Sequence, residues 1–348
     1  MNKVVSSGVL REDRYTREFE ERFSRRVGSG QGFAVCNGTA ALQLAYMSVL
    51  KPGDEVIVPA FTFEASAGAA VKCGVRPVYA DVERSTMLLD VDALKEIIGE
   101  STKAVLPVHL FGNVVDLRSL SEVAEDNGLL VIGDCCQAIG SRYMGQELGG
   151  LHDVCCYSFY PSKVITTAEG GMLTVNSHDI AHRVRGHKFG MGGIRPEDLG
   201  VNFRFDDVRA ALGLDQLEML DGFLAGRRRA ARLLDAAVRG LGCVTPQRVE
   251  PRVESCYNYY TVRLDLDALR CSRDLFAEAL RAENVECSVY YPYALSSHPS
   301  LGDPSARCPE AEGLSRCVLS LPMHPFLSES DVDAIGEALG KVVSHFLR

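Results

Sequence analysis

The chain has 348 residues, 46% of them hydrophobic and 24% charged, which is long enough for one large core with a smaller unit attached or for two subdomains. Its formal net charge of -9 at pH 7 argues against a nucleic-acid-binding protein, because contacts with phosphate groups need a basic surface. No segment approaches the roughly 20 apolar residues of a membrane span, and the charged first thirty residues exclude a signal peptide, so we expect a cytoplasmic protein with no membrane partner.

Short apolar runs typical of β-strands alternate with helical patterns over the first two thirds of the chain. The predicted strands are residues 33–36, 55–59, 76–80, 103–108, 129–133, 154–159 and 172–175. Helical patterns lie between the first five strands and begin near Thr39, Phe63, Val91 and Leu117. This alternation predicts an α/β fold with right-handed crossovers and a mostly parallel, buried sheet. The link between the last two strands is too short for a crossover helix, so residues 172–175 should run antiparallel.

The pattern changes after residue 205. Residues 206–241 carry apolar side chains at helical spacing, and we expect the basic run at 227–229 on the exposed face of this helix. A strand at 257–264, a helix at 272–283, a strand at 285–290 and a final helix from Ser328 are then predicted. These elements form a smaller α+β unit. We therefore predict two domains, a large one at residues 1–237 and a small C-terminal one at residues 238–348.

Twelve cysteines are spread through apolar runs. In a chain of this length the pattern favours buried thiols in a reducing cytosol over a disulfide framework. The doublets at 135–136 and 155–156 do not predict a metal site. Neighbouring side chains of a strand point to opposite faces, and the chain contains no CxxC motif.

Polar residues follow two of the predicted strands. Gly38 and Thr39 lie between a strand and a helix, where backbone N–H groups and a hydroxyl can face an anion, although a helix cap formed by Thr39 explains the same pattern. Asp134 follows the buried strand at 129–133, at the sheet edge where ligands bind in α/β folds. A carboxylate there is costly unless it meets a cation or several donors, and Gln137 is close enough to face the same ligand. The alternative is that Asp134 caps a following helix.

Lys163 occupies the short polar link between the strands at 154–159 and 172–175. An amine that forms imines near neutral pH must lose its proton well below the usual lysine pKa of ~10.4, which requires partial burial or neighbouring cations. A position between two buried strands meets this requirement, while the alternative is an ordinary surface lysine. An anion cradle, a carboxylate and an amine together match pyridoxal 5'-phosphate (PLP), which proteins hold through a Schiff-base lysine and an acidic residue on the ring nitrogen.

The chain contains six ordered segments that resemble the successive motifs of the DegT/DnrJ/EryC1/StrS aminotransferases. These segments are NGTAAL, GDEVIVPAFTFEAS, PVHLFG, DCCQAIGS, SFYPSKVITTAEGG and GVNFRFDDVRAALGLDQLEML. The family consists mainly of sugar-modifying PLP enzymes of fold type I, and the resemblance covers about residues 8–345. It implies an aspartate aminotransferase-like large domain followed by the smaller C-terminal domain.

The resemblance also implies a role for each matching residue. Lys163 matches the lysine that bonds to the cofactor aldehyde and then carries a proton between substrate and cofactor. Asp134 matches the partner of the pyridinium nitrogen, Gln137 a residue near the phenolic oxygen, and Phe63 an aromatic ring stacked on the cofactor. The residues that match phosphate contacts are Gly38, Thr39, Ser158 and Asn202, the last reaching across from a neighbouring subunit. The implied assembly is a homodimer with shared active sites.

Other residues are candidates for contacting the substrates. His187 and Arg204 lie near positions that the family uses for substrate carboxylates. The segment VYYPYALSSHPSLGD replaces the commoner His-Tyr-Pro pattern of the acceptor pocket. Tyr290, Tyr291 and His298 are therefore candidates for lining the pocket of an unusual acceptor, although tyrosines in a strand are packed at least as often.

The resemblance implies transamination, with the cofactor alternating between PLP and pyridoxamine phosphate. The amino group would pass from an amino acid, expected to be L-glutamate, to a keto-sugar, expected to be nucleotide-linked, in the biosynthesis of amino sugars, secondary metabolites or glycans. One alternative acceptor is a non-sugar cyclic ketone such as a cyclitol or an aminobenzoate precursor. A sugar dehydratase is disfavoured because the resemblance places histidine there at the position of Lys163. Intact Lys163, Asp134 and Gln137 argue against a non-catalytic regulator.

Overall fold

A computed structural model describes residues 1–189 and 200–348 of the protein. The helices are α1 (Asn2–Ser7), α2 (Arg14–Arg26), α3 (Gly38–Val49), α4 (Ala65–Lys72), α5 (Leu117–Asn127), α6 (His178–Phe189), α7 (Asp207–Val238), α8 (Arg273–Ala282), α9 (Pro309–Cys317) and α10 (Glu329–Phe346). The strands are β1 (Gln31–Val35), β2 (Glu55–Pro59), β3 (Arg76–Ala80), β4 (Val82–Glu83), β5 (Leu88–Leu89), β6 (Thr102–Val105), β7 (Leu130–Asp134), β8 (Arg142–Tyr143), β9 (Gln146–Glu147), β10 (Val154–Ser158), β11 (Gly171–Val175), β12 (Val244–Pro246), β13 (Val253–Glu254), β14 (Tyr260–Leu264) and β15 (Val318–Leu321).

A large mixed sheet forms the centre of the molecule. Its strand order is β1-β11-β10-β7-β6-β2-β3. The pairs β10–β7, β7–β6, β6–β2 and β2–β3 are parallel, whereas β11 runs antiparallel to both β1 and β10. The predicted α/β fold and the antiparallel last strand are both confirmed. Strands β2, β10 and β11 are buried along their whole length, as expected for a sheet covered by helices on both faces.

The predicted elements agree with the structure except at a few places. The helix predicted from Val91 is only a 3-10 turn at Asp92–Glu96, after which the chain makes a second turn at residues 99–102 to enter β6. The strand predicted at 285–290 is reduced to one bridge between Ser288 and Ser320, after which the chain turns towards the large sheet. The strand predicted from residue 257 begins at Tyr260.

Two hydrophobic clusters divide the described core. One surrounds the large sheet, and the other lies between the β12-β14-β15 sheet and helices α8 and α10. Helix α7 contributes Leu220 and Leu224 to the first cluster and Leu234 and Val238 to the second. The two-domain division near residue 238 stays a prediction.

The expectation that the basic run of α7 is exposed is wrong for Arg227, which is 6% exposed. Its Nη1 donates hydrogen bonds of 3.1, 3.2 and 3.4 Å to the carbonyl oxygens of Tyr257, Asn258 and Met323. Because α7 runs between the two clusters, this face of the helix is covered by the segment before β14. Arg227 thus binds the long helix to that segment instead of contacting solvent.

All twelve cysteines lie in the described parts of the chain and are free thiols. Within residues 1–189 and 200–348, no cluster of three or more histidine, cysteine, aspartate or glutamate side chains could hold a metal ion. Among the same residues, no helix combines the length and the apolar character needed to cross a membrane.

Candidate active site

A cavity of about 490 Å³ lies at the carboxyl ends of the parallel strands, the edge where α/β sheets bind ligands. Strands β1, β7 and β10 all end at this cavity, and the loop after β2 also lines it. The predicted site residues that line this cavity are Gly38, Thr39, Phe63, Asp134, Gln137, Ser158, Lys163, Tyr290 and Tyr291. The fold therefore brings together residues that are up to 253 positions apart in the chain, from Gly38 to Tyr291.

The N-terminus of α3 forms one end of the cavity. Asn37 caps the helix by accepting a 2.8 Å hydrogen bond from the backbone N–H of Ala40, so the interpretation of Thr39 as the cap is wrong. The N–H groups of Gly38 and Thr39 belong to the first helical turn, which has no partners for them within the helix. A Cβ atom on Gly38 would lie 2.9 Å from Cβ of Ser158. Glycine therefore keeps this cradle open for an anion.

Asp134 ends β7 and is 5% exposed. Its Oδ2 accepts a 2.9 Å hydrogen bond from the hydroxyl of Ser66, and its Oδ1 accepts one of 3.1 Å from the backbone N–H of Cys136. No α-helix begins in residues 135–141, so the helix-cap interpretation of Asp134 is wrong. Two donors hold this carboxylate in a fixed orientation at the cavity wall.

The amide of Gln137 is held at both ends. Its Oε1 accepts a 2.8 Å hydrogen bond from the backbone N–H of Phe111, and its Nε2 donates one of 2.7 Å to the hydroxyl of Tyr291. These partners fix which end of the amide is the donor, and a second N–H of the amide remains for a ligand. Tyr291 therefore orients Gln137, a function that the sequence did not indicate.

Lys163 lies in the loop between β10 and β11, on the same cavity. Burial lowers the pKa of its amine, and the nearby Cys136, Asp134 and Tyr290 oppose part of this shift. A lowered pKa increases the fraction of neutral amine near pH 7, which is the form that bonds to an aldehyde. The alternative of an ordinary surface lysine does not fit this setting.

Aromatic side chains form another wall of the cavity. Phe63 is half exposed, and its ring centroid lies 5.9 Å from that of Tyr291. The ring of Tyr290 lies 4.6 Å from that of Tyr259, and Lys163 Nζ is 5.9 Å from the centroid of Tyr259. This wall combines flat apolar faces with hydroxyl groups.

The remaining predicted residues lie outside the cavity of this chain. Asn202 and Arg204 are exposed at the start of the segment that leads into α7. His187 borders a separate cavity of about 700 Å³, and its carbonyl accepts a 2.8 Å hydrogen bond from Val201. His298 lies 3.5 Å from a carboxylate oxygen of Glu64. A single chain does not bring these four residues to the cavity.

Sequence reasoning did not single out Ser66 and Tyr259, and both are functional candidates in the structure. Ser66 belongs to the motif GDEVIVPAFTFEAS, but no sequence signal links it to Asp134, 68 residues later. Tyr259 stands in the tyrosine-rich segment YNYYTV, which is also typical of a packed strand. Contacts over such separations become visible only in the fold.

The family model of the DegT/DnrJ/EryC1/StrS aminotransferases matches residues 1–340. The chain belongs to this family. Among its relatives, GDP-perosamine synthase from Caulobacter vibrioides is 37% identical over 95% of this chain and 90% of the relative. The UDP-2-acetamido-2-deoxy-3-oxo-D-glucuronate aminotransferase of Pseudomonas aeruginosa is 34% identical over 95% of this chain and 93% of the relative. The protein is thus an aminotransferase.

Solved structures confirm the aminotransferase fold. DesV of S. venezuelae, determined in complex with a ketimine intermediate, is 30% identical, with a TM-score of 0.92 over 98% of this chain and 92% of that chain. Streptococcus pneumoniae Spr1654 has been solved in a PLP form and a PMP form, at 28% and 27% identity and a TM-score of 0.90 for each. Both Spr1654 structures match over 99% of this chain and cover 94% and 95% of Spr1654. The family is therefore of the PLP type.

Proposed function

We propose that this aminotransferase binds PLP in the cavity and transfers an amino group from an amino acid to the keto group of a nucleotide-linked sugar. The observation that carries the proposal is that Lys163 and Asp134 face one cavity, at whose end lies the first turn of α3, where N–H groups have no partner within the helix. The names of the Caulobacter and Pseudomonas relatives, which concern GDP- and UDP-linked sugars, support a nucleotide-linked acceptor.

The donor groups of the cavity suit each part of this cofactor. The N–H groups of Gly38 and Thr39 and the hydroxyls of Thr39 and Ser158 are suited to the phosphate. Asp134 is suited to a protonated ring nitrogen, and the free N–H of Gln137 to an oxygen on the ring. When bound, PLP supplies an aldehyde and an electron-withdrawing ring.

Each polar residue then has a defined task in the reaction. Lys163 would hold the cofactor through its amine, and that amine, when free, would take the proton from the donor carbon and give it back to the cofactor. Asp134 supplies a fixed negative charge that favours the protonated ring, and the hydrogen bond from Ser66 keeps that charge in place. Tyr291 holds the amide of Gln137 at the cavity, where its second N–H would serve the cofactor.

The aromatic wall supports a sugar acceptor. Tyr259, Tyr290 and Tyr291 line the cavity and offer flat aromatic faces for the C–H side of a sugar ring. The same wall is compatible with a cyclitol ketone, so the acceptor has to be measured. We propose offering GDP- and UDP-linked keto-sugars and a cyclitol ketone to the pyridoxamine form, and then following the return of the PLP absorbance. A product that has lost water without gaining nitrogen indicates a dehydratase instead.

We further propose that the active enzyme is a homodimer with shared sites. Asn202 and Arg204 are exposed and lie outside the cavity of their own chain, which supports a contact with the cavity of a second copy. A cation from the partner would also serve the carboxylates of an amino-acid donor. Sedimentation that finds a fully active monomer at assay concentration contradicts this assembly.

A cytoplasmic location is part of the same proposal. The support comes from the twelve free thiols, eight of which are buried, because persistent free thiols are typical of a reducing compartment. Cell fractionation of the native organism, with the protein followed by antibody, tests this location.

The central experiment is reduction of the purified protein with borohydride. We expect visible absorbance before reduction and, afterwards, a peptide containing Lys163 that carries the mass of the reduced cofactor. Lys163→Ala should lose both signals and lose the conversion of L-glutamate to 2-oxoglutarate by several orders of magnitude. Lys103→Ala is the matched control, because Lys103 is exposed and donates only to the carbonyl of Glu100 in the described structure. A Lys163→Ala protein that transaminates at the parent rate overturns the assignment.

A further inference from the structure

Tyr259 contacts the Lys163 segment in two independent ways. The centroid of its ring lies 5.9 Å from Lys163 Nζ, within the ~6 Å range over which an aromatic face attracts a cation. Its hydroxyl donates a 2.9 Å hydrogen bond to Oγ of Ser162, the residue that precedes the lysine. One side chain therefore lies against the lysine amine and binds the side chain of the residue before it.

Tyr259 is itself held by groups outside the lysine loop. Its backbone N–H donates a 3.2 Å hydrogen bond to the carbonyl of Phe111, and its ring packs edge-on against Phe111 at 6.1 Å. Tyr290 lies against the ring at 4.6 Å. Tyr259 directly precedes β14, so the smaller sheet also fixes its position. A second cavity of about 470 Å³ also borders Tyr259. A shorter side chain at this position would therefore enlarge an existing cavity and would not create an enclosed one.

We propose that Tyr259 is a positioning residue for Lys163: its ring face holds the protonated amine at the cavity, and its hydroxyl fixes the turn at Ser162. This inference rests on the proposed function, in which the freed amine of Lys163 takes up and returns the substrate proton. Between these two events the amine is a cation that must stay close to the reacting carbon, since a misplacement of about 1 Å can cost 10²-fold in rate.

The ring also affects the pH at which the amine works. Burial lowers the pKa of Lys163, and a ring face that attracts the cation opposes this shift. Removal of the ring should therefore lower the pKa further, so that the neutral, basic amine persists to lower pH. The acidic limb of the rate profile then moves to lower pH. The other titratable groups near the amine or on the same cavity are Asp134, Cys136, Tyr290, Tyr291 and Cys256 from the packed elements and Tyr160 and Glu169 from its own loop.

The test is a single-turnover reaction of the holoenzyme with whichever amino acid the parent converts fastest, measured from pH 6 to pH 9. We expect Tyr259→Leu to convert about 10- to 100-fold more slowly at saturating donor, with a shifted acidic limb and an unchanged yield of borohydride-fixed cofactor. Tyr259→Phe should be only a few-fold slower, with the parent pH profile. Tyr260→Phe is the control, because this neighbouring hydroxyl donates to Asp235 and lies outside the cavity.

Two further comparisons keep the inference testable if the leucine variant does not fold. Trifluorophenylalanine at position 259 has the shape of phenylalanine but a weaker ring face, and we expect it to be slower than Tyr259→Phe and to shift the acidic limb. Tyr259→Phe and Ser162→Ala remove the two partners of one hydrogen bond, so the double variant should be no slower than the slower single variant.

The outcomes separate this inference from the proposed function. Parent rate and parent pH profile in Tyr259→Leu, or identical profiles for phenylalanine and its fluorinated form, overturn the assignment of Tyr259 to the cation. Additive losses in the double-variant cycle overturn the hydrogen-bond part. A parent protein whose cofactor is not fixed to Lys163 by borohydride overturns the proposed function instead.

Discussion

At Asp134, a single substitution can distinguish an effect on the reaction rate from an effect on folding stability. A carboxylate that acts on the ring nitrogen stabilises the transition state more than the ground state, so its loss should reduce the rate far more than cofactor binding. We expect Asp134→Asn to slow the donor half-reaction by at least about 100-fold while the cofactor remains fixed to Lys163. Ser66→Ala, which removes the hydrogen bond to Oδ2 and a 3.2 Å contact with the hydroxyl of Thr62, should cost about 1 kcal/mol of stability and a few-fold in rate.

Stopped-flow absorbance of the cofactor, recorded beside thermal melts of the same proteins, measures both quantities. An Asp134→Asn protein that melts early but reacts at the parent rate shows that the carboxylate acts only on the fold.

A second residue, His109, is fully buried, and its backbone N–H donates a 3.1 Å hydrogen bond to the carbonyl of Asp134. Its Nδ1 accepts a hydrogen bond from the backbone N–H of Val115, and its Nε2 lies 3.0 Å from Nε2 of His152. The Nδ1 of His152 lies 2.9 Å from the carbonyl of Leu148, to which it can only donate. These contacts place the proton of His109 on Nε2, from which it donates to Nε2 of His152, so the ring of His109 is neutral.

Burial, together with the neighbouring His152, lowers the pKa of His109 well below its usual value of 6.5. Above about pH 6.5 the ring of His109 is neutral in both the folded and the unfolded state, so its protonation does not reduce the free energy of unfolding. Below that pH only the unfolded state binds the proton, and the free energy of unfolding should fall by about 1.4 kcal/mol per pH unit for this group. Urea unfolding between pH 7.5 and 5.5 should show this loss. His109→Gln should have a lower free energy of unfolding at pH 7.5, and this free energy should depend less steeply on pH than in the parent. If its slope against pH equals that of the parent, His109 is not the cause.

At the scale of elements, the close packing at the start of α3 predicts that a larger side chain at Gly38 weakens PLP binding. Gly38→Ala places a Cβ 2.9 Å from Ser158 and 3.1 Å from Sγ of Cys136, so the cradle must widen. We expect at least a tenfold weaker affinity for PLP, measured by equilibrium dialysis, together with a lower melting temperature. Gly222→Ala in the middle of α7 is the control, since no atom lies within 4 Å of the new Cβ there and the substitution should stabilise the helix by about 0.5–1 kcal/mol. Unchanged PLP affinity in Gly38→Ala contradicts the cradle.

Elements of the large sheet could be predicted because strong local patterns specify them. The predicted strands 55–59 and 76–80 coincide with β2 and β3, and Ser328 caps α10 with a capping box. The failures are elements that tertiary contacts determine. Residues 285–290 have the apolar and aromatic composition of a strand, but after Ser288 the chain supplies the cavity wall with Tyr290. Composition alone does not distinguish a tyrosine packed in a strand from a tyrosine that lines a cavity.

At the scale of the whole molecule, the site residues that could be predicted are those at strand ends. Gly38, Asp134 and Lys163 follow predicted strands, and parallel strands bring their carboxyl ends to one edge. The supporting contacts could not be predicted, since Tyr259 reaches Ser162 across 97 residues without any local pattern to indicate it. A sequence thus indicates the reacting groups more readily than the groups that orient them.

The position of Asn202 outside its own cavity leads to the last prediction. In a shared site, Lys163 comes from one protomer and Asn202 from the other. Lys163→Ala should be inactive, and Asn202→Asp should be severely impaired because it sets a negative charge against the phosphate. When the two variants are unfolded together in equal amounts and refolded, half of the dimers contain one copy of each. Such a dimer has one intact site, so about a quarter of the parent activity should return. Each variant refolded alone is the control. If Asn202 instead serves the cavity of its own chain, every site in the mixture carries one substitution, and mixing restores no activity.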